Sequence, residues 1–184
     1  MSASLSPPPT LHTERLVIRP FSHDDAPFIL ELLNDEEFIK HIQDRGVRNL
    51  EHARDYLTNG PLESYARFGF GLCCVVEQNT LNSVGMCGLI QRETLPVPDI
   101  GYAFLPAARS KGYAYEASRE MAAFARLTLG LDRILAVTSE SNVASQKLLE
   151  KLGFKYLMLA QFEPDSESVP CFELEFARMS SDSQ

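Results

Sequence analysis

The sequence predicts a mixed α/β domain, and three observations carry that prediction. Short runs rich in β-branched and aromatic residues alternate with longer stretches whose apolar residues recur at i, i+3 and i+4, so strand and helix periods exchange along one chain. Proline and glycine fall between these stretches, at Pro20, Gly60-Pro61, Pro96, Pro98, Pro106, Gly130 and Gly153. The length, 184 residues, suits one domain with a substantial core that needs neither metals nor disulfides. We expect a disordered lead over residues 1–10, a single domain over 11–179 and a disordered tail over 180–184.

Taken in order, Leu16 and Ile18 alternate with Arg15, Val17 and Arg19 in a first strand that Pro20 closes. Ser22-His23-Asp24-Asp25 supplies caps for a helix carried by Ala26, Ile29, Leu30 and Leu33, which ends near Asn34. The acidic run Asp35, Glu36, Glu37 beyond it reads as a solvated helix start or as one wall of an amine-attracting mouth. Asn49 caps a second helix, which Gly60-Pro61 should break after Asn59. Gly69 to Glu77 and Ser83 to Arg92 read as a hairpin about a turn at Gln78 to Asn82. Ile100 to Leu105 is a buried strand stopped by Pro106, and Ala114, Ala117, Met121, Phe124, Ala125 and Thr128 mark the longest helix. Gly130 caps that helix, and Arg133 to Thr138 is a fully buried strand. Asn142 then caps a helix facing Ala144, Leu148, Leu149 and Leu152 inward, and Phe154 to Phe162 and Val169 to Arg178 are the last strands.

Composition narrows the function. The apolar share of 45% and charged share of 23% are ordinary for a soluble protein, and no run approaches the ~20 apolar residues of a membrane span. Met1 to Thr10 lacks the basic and apolar regions of a secretory signal, so a cytoplasmic protein is expected. Cys73, Cys74, Cys87 and Cys171 show no Cys-x-x-Cys spacing and read as reduced core residues; the four histidines lack zinc-ligand spacing, so no metal is expected. A formal net charge of −8 argues against nucleic acid as a partner, since binding there comes mainly from neutralising phosphates.

The junction after Leu105 carries the chemistry. The open amides and dipole at the start of a long helix favour an anion. Gly112 lets backbone approach a ligand closely, and Arg109 and Lys111 add positive charge, so the loop reads as a pyrophosphate cradle. It has neither the P-loop spacing nor the three glycines of a dinucleotide fingerprint. The residues Arg109-Ser110-Lys111-Gly112-Tyr113-Ala114 resemble the Gln/Arg-x-x-Gly-x-Gly/Ala signature of the GCN5-related N-acetyltransferases (GNAT). The flanking Ile100-Gly101-Tyr102 and Glu116-Ala117 look like the RimJ/RimL branch of that family. Thr13 to Pro20 is similar to the branch's first strand, and Asn142 to Phe154 to its late helix and strand, so three motifs in order cover most of the chain.

The resemblance implies the GNAT fold: a mixed, mostly antiparallel sheet of about six to seven strands with a splayed parallel pair, flanked by about four helices. It also implies transfer of an acetyl group from acetyl-CoA, the co-substrate, to a primary amine, either a protein N-terminus or a small molecule. Backbone amides of Ala103, Phe104 and Leu105 would hold the pantetheine arm and stabilise the oxyanion, while Arg109, Ser110, Lys111, Gly112, Tyr113 and Ala114 take the pyrophosphate and Asn142 touches the carrier. An alkylammonium has a pKa of about 10.4, so something must take its proton. Asp99 is preferred over Glu93 as the base, Glu140 is the reserve, and a water chain is the alternative. Leu149 stands where many members place the tyrosine that protonates the thiolate, which leaves Ser145, or a water held by it. Glu116 should turn away into a structural contact. An acidic rim of Asp35, Glu36, Glu37, Glu163, Asp165 and Glu167 would favour a polycationic acceptor. A module that binds coenzyme A without chemistry is the competing reading, and monomer and homodimer both stay open.

Overall fold

Alternating apolar residues at Leu16 and Ile18, both fully buried, make β2 (Leu16–Arg19) a strand with one face in the core. It is the second of eight strands that form a single sheet in the computed structural model, which describes residues 5–162 and 167–177. The other strands are β1 (Leu11–His12), β3 (Leu72–Glu77), β4 (Ser83–Ile90), β5 (Asp99–Phe104), β6 (Arg133–Val137), β7 (Lys155–Ala160) and β8 (Val169–Glu175). Their spatial order is β1-β2-β3-β4-β5-β6-β8-β7, antiparallel throughout except at β5 and β6. The mixed α/β GNAT fold expected from the motifs is therefore present, with the two-residue β1 and its neighbours bringing the sheet to eight strands.

Helices cover both faces. On one lies α5 (Tyr113–Leu127), whose Ala117, Met121, Phe124 and Ala125 meet Cys87, Leu89, Ile100 and Ile134 from the sheet. On the other lie α1 (Ala26–Leu33), α2 (Glu36–His41) and α3 (Leu50–Leu57), which bury Ile29, Leu32, Phe38 and Leu57 against Cys74, Val76 and Met86. Each fully buried Leu or Ile contributes about 1.5–3 kcal/mol by leaving water. Cys73 and Cys74 point into these two different cores, as adjacent strand residues must. All four cysteines are free and buried, and burial pushes the Cys73 and Cys87 thiols up to about 12, which removes them as nucleophiles.

The chain departs from the sequence reading at Gly60-Pro61. The helix does not stop there: a π turn, Thr58–Leu62, carries it into α4 (Glu63–Phe68), which ends at the left-handed Gly69. A π turn is where a helix ladder is already irregular, so it accommodates a residue with no N–H to give. The run Asp35 to Glu37 is a solvated helix start, one of its two readings: Asp35 caps α2 by accepting from the Phe38 N–H at 3.2 Å, and Glu36 and Glu37 are exposed in its first turn. The described part of the expected disordered lead, residues 5–10, packs on the domain: Leu5 N–H donates to the Ala66 carbonyl at 3.0 Å and Pro8 is buried. Residues 1–4 and the tail from 178 onward, with Arg178 of the last expected strand, lie outside the described residues. Among the described residues no helix is long and apolar enough to cross a membrane.

Candidate active site

β5 and β6 run parallel but share one rung, Asp99 opposite Leu135, where Leu135 N–H donates to the Pro98 carbonyl at 3.0 Å. Beyond it the two strands have no paired residues, whereas β5 is laddered to β4 along its whole length. Leu105 N–H donates to the Val84 carbonyl at 3.0 Å. By the alternation of an antiparallel ladder, Ala103 also turns its amide to β4, and Tyr102 and Phe104 turn theirs into the gap. Of the three donors expected, Phe104 faces the gap while Ala103 and Leu105 do not; Tyr102 takes their place.

The strand leads through a 3-10 turn, Pro106–Ala108, to the loop at the start of α5. Ser110 and Gly112 have φ of 60° and 82°, and Gly112 is the N-cap of α5 with no side chain capping that end. The amides of Tyr113 and Ala114 are thus left open at the positive end of a 15-residue helix. Arg15 braces the loop from behind, donating from Nη1 to the Lys111 carbonyl at 2.8 Å and from Nε to Glu116 Oε2 at 2.7 Å. Glu116 also accepts from the Thr13 hydroxyl at 2.6 Å, so its charge has a structural role, as its expected turn away from the loop requires. Burial alone would raise its pKa, but the bonds from Thr13 and Arg15 hold it below the usual carboxylate range. The Tyr113 phenol donates to Glu77, and the Lys111 ammonium lies 5.7 Å from the Tyr113 ring centre.

Arg109 is placed otherwise than expected. Its Nε donates to the Phe104 carbonyl at 2.9 Å and its Nη2 pairs with Asp35, so the guanidinium ties the end of β5 to α2. At the far end of α2, His41 Nδ1 lies 3.2 Å from Ser139 Oγ, just past β6. The short helix therefore bridges the mouth of the gap on one face. Asp35 is thereby neutralised, and Glu37 is paired with Lys40 and His41, at 3.3 and 3.0 Å.

On the α5 side, α6 (Val143–Lys151) starts at Asn142, whose Oδ1 accepts from Ser145 N–H at 3.0 Å. Ser145 Oγ lies 2.8 Å from the Tyr102 hydroxyl. Burial pushes the Tyr102 phenol up to about 12, against the opposing effect of its bond to Ser145, so it is neutral near pH 7 and able to donate. Leu149 is wholly in the core. Sequence reasoning missed Tyr102: strand alternation puts it on the face of Ile100 and Phe104, but its meeting with Ser145 depends on β5 and β6 being neighbours.

At the shared rung Asp99 is 1% exposed. Its Oδ1 accepts from Arg92 Nε at 2.8 Å, and its Oδ2 is the one buried side-chain oxygen or nitrogen without a partner among the described residues. Burial raises the Asp99 pKa and Arg92 offsets only part of that rise. Glu93 and Glu140 are exposed. Glu163 and Asp165 lie outside the described residues, and Glu167 is exposed. Among the described residues no three His, Cys, Asp or Glu side chains cluster as metal ligands.

Known proteins resemble the chain in sequence and in fold. The model of the acetyltransferase (GNAT) domain fits residues 15–155. The chain belongs to the GNAT acetyltransferase family. The uncharacterized N-acetyltransferase p20 of Bacillus licheniformis is 30% identical over 152 residues, covering 79% of this chain and 82% of the relative. Among solved structures, an acetyltransferase from Agrobacterium tumefaciens superposes with a TM-score of 0.77 at 23% identity, covering 91% of this chain and 95% of the other. RimL, a ribosomal L7/L12 α-N-protein acetyltransferase solved with coenzyme A, has the same TM-score of 0.77 at 14% identity, with 91% and 98% covered. The loop Arg109 to Gly112 and the gap beside β5 both lie within the matched residues 15–155.

Proposed function

We propose that this GNAT-family N-acetyltransferase transfers the acetyl group of acetyl-CoA to a primary amine by direct attack in a ternary complex, in the manner of the RimJ/RimL branch. The observation that carries the reading is the single rung between β5 and β6, because it leaves the Tyr102 and Phe104 amides facing a gap that leads to the open amides of α5. Those donors suit the amide-bearing arm and the pyrophosphate of one extended ligand. With Arg109 paired to Asp35, the pyrophosphate falls to the amides of Gly112, Tyr113 and Ala114, with Ser110 and Lys111 beside them.

Catalysis then follows from the groups around the gap. The ammonium gives a proton to Asp99 Oδ2, directly or through a water, and the free amine attacks the thioester carbonyl. The oxyanion that forms is held by gap-facing amides of β5. The C–S bond breaks as the carbonyl re-forms, and the thiolate takes a proton from Ser145 Oγ, which recovers one from the Tyr102 hydroxyl or solvent. The attacking nitrogen loses its second proton to water, leaving an N-acetyl amine and free coenzyme A. Asn142, whose Oδ1 holds the first turn of α6, sets Ser145 in place.

Acceptor-dependent release of free thiol from acetyl-CoA, measured over a panel of amines and peptides, tests the reaction. Carrier binding by calorimetry with no thiol from any acceptor would favour the non-catalytic module instead. For the cradle, Gly112→Asp forces a side chain onto a φ of 82° and puts its Cβ 3.3 Å from Arg15 Nη2, which disturbs the turn that presents the amides. We expect it to weaken coenzyme A binding at least about tenfold, roughly 1.4 kcal/mol. Unchanged affinity would place the pyrophosphate elsewhere.

A further inference from the structure

Beside Arg92 the structure holds a cavity of about 350 Å³. It lies between the π turn and α4 on one side and the ends of β3 and β4 on the other. Its wall is basic in a protein of net charge −8: Arg45, Arg67 and Arg92 line it against one carboxylate, Glu63. Tyr56 and Gln91 add polar groups. We propose that this cavity receives the anionic end of the acceptor, so that the substrate is an amine that also carries a carboxylate. The inference rests on the acetyltransferase reading above and on Asp99 as the base.

The charges there are only partly used. Arg45 is exposed and makes no hydrogen bond or ion pair among the described residues. Arg67 meets Glu63 at 3.4 Å across an exposed helical turn, a weak pair easily exchanged for a ligand. Arg92 gives its Nε to Asp99 at 2.8 Å and rests on the Phe162 ring, 4.8 Å from its centre, while its terminal nitrogens have no protein acceptor among the described residues. Planar guanidinium groups with free N–H pairs are the side chains best shaped for a carboxylate.

Arg92 also joins the cavity to the reaction centre. Ile90 pairs with Asp99 across β4 and β5, and two residues later Arg92 folds back onto Asp99 Oδ1. One residue thus contacts the base through its Nε and lines the cavity, so an acceptor whose carboxylate meets Arg92 would bring its amine toward Asp99. Part of the acidic rim that would favour a polycationic acceptor is engaged within the protein, Asp35 by Arg109 and Glu37 by Lys40 and His41.

The test compares matched acceptors. Free amino acids and short peptides with acidic residues are assayed for thiol release against the same compounds with each carboxylate converted to carboxamide. We expect at least a tenfold preference in kcat/KM for the acids, carried by KM, and its collapse toward parity in Arg45→Ala, an exposed change that leaves both cores intact. The amino-acid and peptide arms separate a free metabolite from a protein acceptor. Equal or better turnover of the carboxamides or of polyamines overturns this inference while leaving the acetyltransferase standing; thiol release from no acceptor at all sinks the acetyltransferase. Calorimetry with N-acetyl amino acids against their carboxamides reads the cavity without turnover. A preference lost in Arg45→Ala supports the inference, and equal affinity in the unmodified protein overturns it.

Discussion

At Asp99 two opposing influences meet, and their balance sets a testable pH dependence. Removal from water raises the carboxyl pKa, while Arg92 pulls it down by less, so the group titrates above the ordinary carboxylate range. A base must be ionised to accept a proton, so turnover should climb as pH rises through that elevated value. Asp99→Asn should remove this limb of the kcat profile and lower kcat about 10²- to 10³-fold, with coenzyme A affinity unchanged. An unaltered rate and profile would assign the proton to a water chain. The sign for stability runs the other way. Because the folded pKa lies above the unfolded one, the protonated carboxyl suits the fold better, and its contribution is lost as pH rises through the folded value. Asp99 was singled out in the sequence by its place before Ile100-Gly101-Tyr102, where the resemblance puts an acidic residue. Arg92 was not, because only the return of the 91–98 loop brings it back to the strand it precedes.

Among the elements, α5 was the most legible, because Gly112 and the spacing of Ala117, Met121 and Phe124 are local signals that the packing reinforces. The α3 to α4 segment was the least, since Gly60-Pro61 is a stop signal that a π turn absorbs. Two-residue β1 has too little pattern to register at all. The central strands are held to close tolerances at a position that periodicity does not reveal. Gly88 sits opposite Leu72, and a Cβ there would lie 2.1 Å from the Gly71 carbonyl oxygen and 2.6 Å from the Leu72 Cα. Backbone cannot swing aside as a side chain can. Gly88→Ala should therefore cost about 1–3 kcal/mol, read as a lower midpoint in urea denaturation. A midpoint equal to that of the unmodified protein would show that β3 shifts freely.

For the whole molecule, the order of the motifs was enough to expect the architecture, while the acceptor was not legible. Scaffold residues carry periodic patterns, whereas the acceptor side depends on loops and on pairs such as Arg109 with Asp35 or Arg92 with Asp99, whose members stand far apart or fold back in ways no period records. The acidic run at Asp35 illustrates this: its composition suits a solvated helix start or an attractive rim, and α2 does start there, but the pairing of Asp35 with Arg109 that ties the helix to β5 left no mark in the run.

The lone rung between β5 and β6 divides the sheet into two panels, one of five strands and one of three, stitched at Asp99 and Leu135 and covered by α5. A carrier whose amides bridge the Tyr102 and Phe104 donors would act as a surrogate strand, sewing the panels together for as long as it stays. Coenzyme A at a hundredfold excess over its Kd should raise unfolding free energy by about 2.7 kcal/mol. It should also slow deuterium uptake most at the amides of Tyr102, Phe104 and Tyr113, with β2 and β3 little changed. Protection spread evenly over the sheet would mean that the ligand tightens the molecule from elsewhere; protection confined to this seam would make the substrate a structural member of the enzyme that consumes it.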